Sequence, residues 1–200
     1  MSEESPYVVA IYGSPRRRGN TARLLDECLR GVETWTTRVD RLVLRDLDIS
    51  PCLEIYGCKR DGRCVIKDDF VWIADKLAAA DYLLLATPVM FYTVSAQAKL
   101  LIDRCQAFWV KKHLLRQPIN PDKPHRKGAV IAAAASHGQR LFEGTIMVAR
   151  YWFESLDVEP AATLCLRGLD GPDDVLAHPE YLQQAYELGR TLPDAPHAAI

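Results

Sequence analysis

Three stretches of the chain carry side chains whose types and spacing suit chemistry. The first, Gly13-Ser-Pro-Arg-Arg-Arg-Gly-Asn-Thr21, joins a short β-rich run to a helical pattern. Hydroxyls at Ser14 and Thr21, the Asn20 amide, the Arg16 guanidinium, the Gly19 turn and the free N–H groups of a helix start all suit a phosphate oxyanion. A Walker loop places four residues between its glycines and follows them with Lys and Ser or Thr. Here five residues separate Gly13 from Gly19, Asn20 follows, and there is no G-x-G-x-x-G. A capped helix after a glycine turn, with solvated arginines, is the plainer reading of the same residues.

The second stretch, Thr87-Pro-Val-Met-Phe-Tyr-Thr93, offers apolar and aromatic groups with little that can act as acid or base. It suits a flat aromatic ligand better than a hydrolytic site, or else a turn whose Phe91 and Tyr92 pack on a neighbour. The third gathers Cys52, Cys58 and Cys64 at spacings of five and five. Iron–sulfur clusters take four protein ligands as a rule, and a zinc site lacks its fourth ligand too because no His lies nearby. Cys28, Cys105 and Cys165 fall within apolar stretches and read as small hydrophobes. His137 ends a buried strand, where it either donates a proton near a ligand or bonds backbone or substrate. Lys99, Asp103 and Arg104 read as structural pairing on a helix.

The elements around these stretches alternate. Tyr7 to Tyr12, Val39 to Leu44, Tyr82 to Ala86, Ala129 to Ala135 and Ala161 to Leu166 read as strands. Helical stripes follow Asn20, Asp69, Leu101, Leu141 and Pro179, the second started by carboxylates at Asp68 and Asp69. The prolines of Gln117 to Pro124 make residues 114–127 a loop, read as a lid or a partner surface. Five strands alternating with five helices predict an α/β fold, a flavodoxin-like three-layer sandwich whose five-stranded parallel sheet has the order 2-1-3-4-5. Ligands then bind where the strand order reverses, in the loops after Tyr12, Ala86 and Ala135.

Composition narrows the partners. Hydrophobic residues at 48% and charged residues at 26% are a globular mixture. With 25 Lys plus Arg against 26 Asp plus Glu, the net charge of −1 provides no field for nucleic acid or an anionic membrane. The 200 residues suit one domain, with a cysteine-containing insertion at about 48–67. No leader and no apolar run of membrane-spanning length is evident, so a cytoplasmic protein is expected, with thiols reduced or metal-bound. A receiver domain is excluded because the third strand ends on Ala86-Thr87-Pro88 without an aspartate. A small cysteine phosphatase is excluded because residues 13–21 hold no Cys.

Gly13-Ser-Pro-Arg16 with Gly19-Asn-Thr21, then Ala86-Thr-Pro-Val89, then Ala96-Gln-Ala-Lys-Leu-Leu-Ile-Asp-Arg104 together resemble the NADPH-dependent FMN reductases and iron-sulfur flavoproteins of the flavodoxin-like superfamily. The resemblance runs from about residue 7 to about residue 165. It implies that Ser14, Arg16, Gly19, Asn20 and Thr21 hold the FMN phosphate. Pro88, Val89, Met90 and Phe91 would line the isoalloxazine ring, with Met90 in place of an expected aromatic, and Ser136, His137 and Gly138 would close the other edge. The cysteine segment looks like the family's C-x-x-C-x-x-C-x5-C insertion, which can ligate a [4Fe-4S] cluster. Ile55 stands at its second position, so no metal is assigned here. A structural vestige is favoured, with a cluster or a redox or disulfide role as alternatives.

The resemblance further implies an oxidoreductase in which NAD(P)H reduces bound FMN and a quinone, flavin or other small-molecule acceptor reoxidises it. No protein nucleophile is needed, because the flavin N5 carries the chemistry. The partner expectation is a homodimer or dimer of dimers, with no nucleic acid and no membrane. The alternatives are an FMN electron-transfer protein serving a protein partner and a non-enzymatic flavin-sensing module.

Overall fold

The computed structural model describes residues 5–195. Five strands, β1 (Val8–Tyr12), β2 (Val39–Val43), β3 (Tyr82–Pro88), β4 (Arg126–Ala133) and β5 (Val158–Leu166), form one parallel sheet in the order β2-β1-β3-β4-β5. This is the expected order. The helices are α1 (Asn20–Val32), α2 (Phe70–Ala79), α3 (Ala96–Arg104), α4 (Gln106–Trp109), α5 (Glu143–Ser155) and α6 (Pro179–Thr191).

The β1 and β3 sequences are continuously apolar because both faces of the sheet are covered. Val8, Ala10, Leu84 and Ala86 face Leu25, Cys28 and Leu29 of α1 and Ala185 of α6. Val9, Ile11, Leu83 and Leu85 face Phe70, Ile73 and Leu77 of α2, Leu101 of α3 and Phe153 of α5. Helices α1 and α6 approach backbone to backbone: a Cβ at Gly189 would lie 1.9 Å from the Cys28 carbonyl oxygen. Among the described residues no helix is long and apolar enough to cross a membrane.

Several expectations need correction. The fifth strand begins at Val158, before the expected Ala161, and runs through Pro160, which an edge strand tolerates because no ladder donor is required on its open side. The helical stripe through Leu101 and Trp109 is broken at Cys105, whose N–H is shared between the Leu101 and Ile102 carbonyls, and it continues as α4 and a π-type turn, Val110–Leu114. The Pro-rich loop does not cover the carboxyl ends of the strands. Asn120 and Lys123 donate to the Ala78 and Ala79 carbonyls at 3.0 and 2.8 Å, the Ile119 N–H donates to Asp157, and Ile119 is buried. That fastens the loop at the amino end of β3, so it cannot be a lid over the predicted cleft.

Candidate functional site

The carboxyl ends of β1, β3 and β4 open on a cavity of about 390 Å³ lined by Ser14, Arg16, Gly19, Asn20, Thr21, Pro88, Val89 and Met90. Pro15, Ala133, Ala134, Ala135, Leu169 and Asp170 complete the wall. It sits at the reversal of strand order between β1 and β3, where a doubly wound sheet leaves a crevice.

The first loop is fixed from below by a buried polar network. The Gly13 N–H donates to the Ala86 carbonyl at 2.8 Å. Ser95 caps α3 by accepting from the Ala98 N–H at 3.2 Å, and its hydroxyl donates to the Gly13 carbonyl. The Thr87 hydroxyl accepts the Ser95 N–H and donates to the Pro88 carbonyl, both at 3.0 Å. A Cβ at Gly13 would lie 3.0 Å from the Ala86 carbonyl oxygen and 3.1 Å from the Ala98 Cβ, so the close approach depends on glycine. The sequence reading missed Thr87 and Ser95 as positioning residues, although Ser95 directly ahead of a helical stripe is an N-cap signal.

Above this network, the loop is laced to the segment after β5. Arg16 Nη1 donates to the Asp170 carbonyl at 2.9 Å. The Asn20 side chain donates to the Gly171 carbonyl at 2.7 Å and accepts from the Val175 N–H at 3.0 Å. Arg23 pairs with Asp173. The Asn20 amide, expected on a ligand phosphate, is thus engaged in holding the 170–175 segment against α1. Helix α1 has no side-chain cap and no acidic residue in its first turn. Its first residues, Asn20 and Thr21, line the cavity with Ser14, so the partial positive charge of an uncapped helix start lies at the cavity wall.

The third side of the cavity comes from residues 88–93. The Val89 N–H donates to the Ala133 carbonyl at 2.8 Å, and Met90 and Thr93 exchange backbone bonds at 2.9 and 3.1 Å. The two residues between them, Phe91 and Tyr92, have φ of 49° and 64°. That is a hairpin turn of the kind glycine and asparagine favour, held here by two aromatics at about 1–3 kcal/mol each. Phe91 is 100% exposed and does not line the cavity, whereas the resemblance implies a ring-lining role. Ser136 and His137 are exposed and Gly138 is half-buried, all outside the cavity wall. His137 rests on Gly168, and Gly138 lies beside the Tyr92 hydroxyl.

The cysteines form a second region. Cys52, Cys58 and Cys64 are half-buried free thiols lining one cavity of about 470 Å³ together with Glu54, Ile55, Tyr56, Asp103 and Gln106. Burial, with the neighbouring Cys64 and Cys52, raises the Cys58 thiol above its ordinary pKa. Glu54 and Tyr56, which flank Ile55, both have left-handed backbone at φ 50° and 60°. Among the described residues no three His, Cys, Asp or Glu side chains converge on a single ion.

The segment hangs on Arg104, which is 1% exposed. Its guanidinium clasps Asp68 at 2.5 and 3.0 Å and donates to the Ser50 carbonyl at 2.9 Å. The sequence reading placed Arg104 in local helix pairing and Asp68 at a helix start. The structure instead joins them across two elements, while Lys99 and Asp103 do pair along α3 at 2.7 Å. Burial alone would raise the Asp68 pKa, but the Arg104 guanidinium and the Ser50 and Phe70 N–H groups outweigh it and hold the carboxyl below its usual range. Cys64 is a further electrostatic partner of Arg104, yet the guanidinium Nε is buried with no hydrogen-bond acceptor.

Comparison with known proteins places the chain. The profile of the NADPH-dependent FMN reductases matches residues 6–164. An iron-sulfur flavoprotein of Methanocaldococcus jannaschii is 40% identical over 97 residues, 48% of this chain and 50% of that protein. One from Archaeoglobus fulgidus is 34% identical over 96 residues, 48% of this chain and 44% of that protein. The chain spans about half the length of the curated relatives it matches. The NAD(P)H:quinone oxidoreductase of Methanothermobacter marburgensis superposes with a TM-score of 0.72 at 18% identity, covering 97% of this chain and all of that one, which shows a shared fold.

Proposed function

The chain belongs to the NADPH-dependent FMN reductase family, and on that premise we propose that it binds FMN in the 390 Å³ cleft and acts as an NAD(P)H-dependent oxidoreductase toward a small acceptor. The observation that carries this reading is the uncapped start of α1, opening on the same cavity as Pro88, Val89 and Met90. One end of that cavity offers donors to an anion, and the other offers apolar walls to a ring.

Within this reading the first-turn N–H groups of α1, the Ser14 and Thr21 hydroxyls and the remaining N–H groups of Arg16 bind the phosphate. Asn20 acts indirectly, by fastening the 170–175 segment that walls the site. Val89 and Met90 bear on the ring, and Thr87 and Ser95 hold both loops in register from below. Ser136, His137 and Gly138 lie at the outer rim, where nicotinamide and acceptor must enter. FMN held by these residues would supply the redox chemistry between NAD(P)H and a quinone, flavin or similar small acceptor.

The exposed Phe91 and Tyr92, with Met147 and Tyr151 on the outer face of α5, support a homodimer in which this apolar surface meets a second copy beside the cleft. A cytoplasmic setting accords with six free thiols. The test is anaerobic mixing of FMN-loaded protein with NADPH. The flavin band is expected to bleach and then return on adding a quinone, with sustained turnover when both are present. A band that does not bleach with NADPH or NADH, but does with a reduced protein carrier, would replace the enzyme by an electron carrier.

A further inference from the structure

We propose that the face formed by α2, α4 and residues 60–67 is a binding site for a small amphipathic carboxylate, whose apolar body lies along α2 and whose charged end meets Arg63 and Lys67. The inference goes beyond the flavin reading and does not rest on it, since no residue of this site lines the cleft.

Three observations carry it. The first is a groove with an apolar floor. A cavity of about 510 Å³, within the range that takes small organic ligands, runs beside α2 past Phe70, Ala74 and Ala78, with Ala107 and Phe108 of α4 also on its wall. The three α2 positions stand on successive turns of one helix face, and the stretch from Phe70 to Ala78 covers about 12 Å of helix axis. Phe70 and Phe108 are buried in the core, whereas Ala74 and Ala78 are half-buried. Methyl side chains at those two positions leave the groove open, and an apolar chain laid there removes apolar surface from water.

The second is charge. The wall carries four cations, Arg60, Arg63, Lys67 and Lys111, against the carboxylates of Asp61 and Asp75. Asp61 is taken by Arg60 at 3.1 Å, and the Lys111 ammonium donates to the Ile119 carbonyl at 3.2 Å. Among the described residues, the side chains of Arg63 and Lys67 have no acidic partner. Asp75, on the α2 wall, disfavours a second negative charge beside it, so the carboxylate belongs at the 60–67 end and the apolar body along the helix.

The third is that the turn carrying the cations is already built. Gly62 has φ of 73°, its N–H donates to the Cys58 carbonyl at 2.7 Å, and a Cβ there would lie 2.7 Å from the Lys111 Cβ. The Arg63 N–H donates to the Asp61 carboxylate at 3.1 Å. The backbone presenting Arg63 is therefore ordered before a ligand arrives, which lowers the entropic cost of binding.

The experiment is calorimetric titration of the full chain with octanoate, octanol and acetate, with and without saturating FMN. Octanoate is expected to bind at a single site per chain, equally with FMN present or absent, and at least about tenfold more tightly than octanol, while acetate does not register. Arg63→Ala combined with Lys67→Ala replaces two exposed residues and should weaken octanoate at least about tenfold while leaving octanol unchanged. Ala74→Leu fills the groove and should abolish binding of both, with an unchanged urea unfolding curve as the control for folding. The proposal is overturned if octanoate does not bind, if the double variant or a folded Ala74→Leu binds it as wild type does, or if octanol matches octanoate, which would mean unspecific apolar contact. Acetate binding as tightly as octanoate would overturn it in favour of a plain anion site, and octanoate binding lost on adding FMN would move it to the cleft. Absence of octanoate binding, with a dimer that dissociates in Ala74→Leu, would give the groove to a second copy. A chain that binds octanoate but not FMN would contradict the flavin reading alone, so the two fail separately.

Discussion

At the cleft, the lining groups hang from the carboxyl ends of three central strands, beside the start of α1, which has no side-chain cap. The cysteine segment lies outside the sheet, has left-handed backbone at Glu54 and Tyr56, and is tied to the body by the buried Arg104 guanidinium and by bonds of Asp48 and Ser50 to Asp68 and Asp69. The cleft therefore tolerates side-chain change while its backbone is held, whereas the chemistry of the cysteine segment turns on single residues such as Ile55 and Arg104.

The largest effect that can break this contrast is on the Asp68–Arg104 pair. Asp68→Ala leaves a buried charge unpaired and should cost about 3–5 kcal/mol in urea unfolding. In the folded fraction, FMN affinity should stay as in wild type. A loss under about 1 kcal/mol, or FMN binding that falls in step, would mean that the two regions are not separately anchored.

Next in size are two substitutions inside the cleft. Arg16→Ala removes a charged contact of about 1.5–3 kcal/mol and should weaken FMN about tenfold or more, while loss of its exposed bond to the Asp170 carbonyl costs under about 1 kcal/mol of stability. Asn20→Ala should do the reverse, lowering stability by about 1–3 kcal/mol through the Gly171 and Val175 bonds, with little direct effect on the phosphate. Flavin titration with a parallel unfolding curve separates the two. If Asn20→Ala cuts affinity at unchanged stability, the amide reaches the ligand after all.

A smaller effect sharpens the reading of the hairpin. Phe91→Gly removes a fully exposed side chain from left-handed backbone, so the isolated chain should gain about 1 kcal/mol while sedimentation shifts toward monomer. The smallest effect is on acid stability. The folded-state pKa of Asp68 lies below its unfolded value near 3.8, so its contribution is complete above that value and is lost as pH falls below it. Asp68→Asn should flatten stability against pH in that range alone.

The sheet order was legible because continuously apolar strands bounded by turn residues leave few topologies, and the place of residues 13–21 on the cavity wall was legible because the loop follows the first strand at the reversal of strand order. What stayed hidden was pairing across sequence distance. Asn20 and the 171–175 segment are about 150 residues apart, and only the fold shows that the amide is engaged there. Arg104 sits at ordinary helical spacing from its neighbours, so nothing local marks it as the partner of Asp68. Phe91 reads as a ring contact by position, and only the fold shows that it stands fully exposed in a left-handed turn. Pro160 delayed the expected start of the fifth strand because the edge position that permits it is a property of the assembled sheet.

The central claim is that the start of α1 is a phosphate site for FMN. Deflavinated protein titrated with FMN and with riboflavin, followed by flavin fluorescence, tests it most directly, because the two ligands share the ring and differ in the phosphate. Two or more charge-assisted bonds to that phosphate predict that FMN binds at least about a hundredfold more tightly, with the difference cut about tenfold in Arg16→Ala. Equal affinities for the two flavins in the unaltered protein would contradict the placement of the phosphate at residues 13–21.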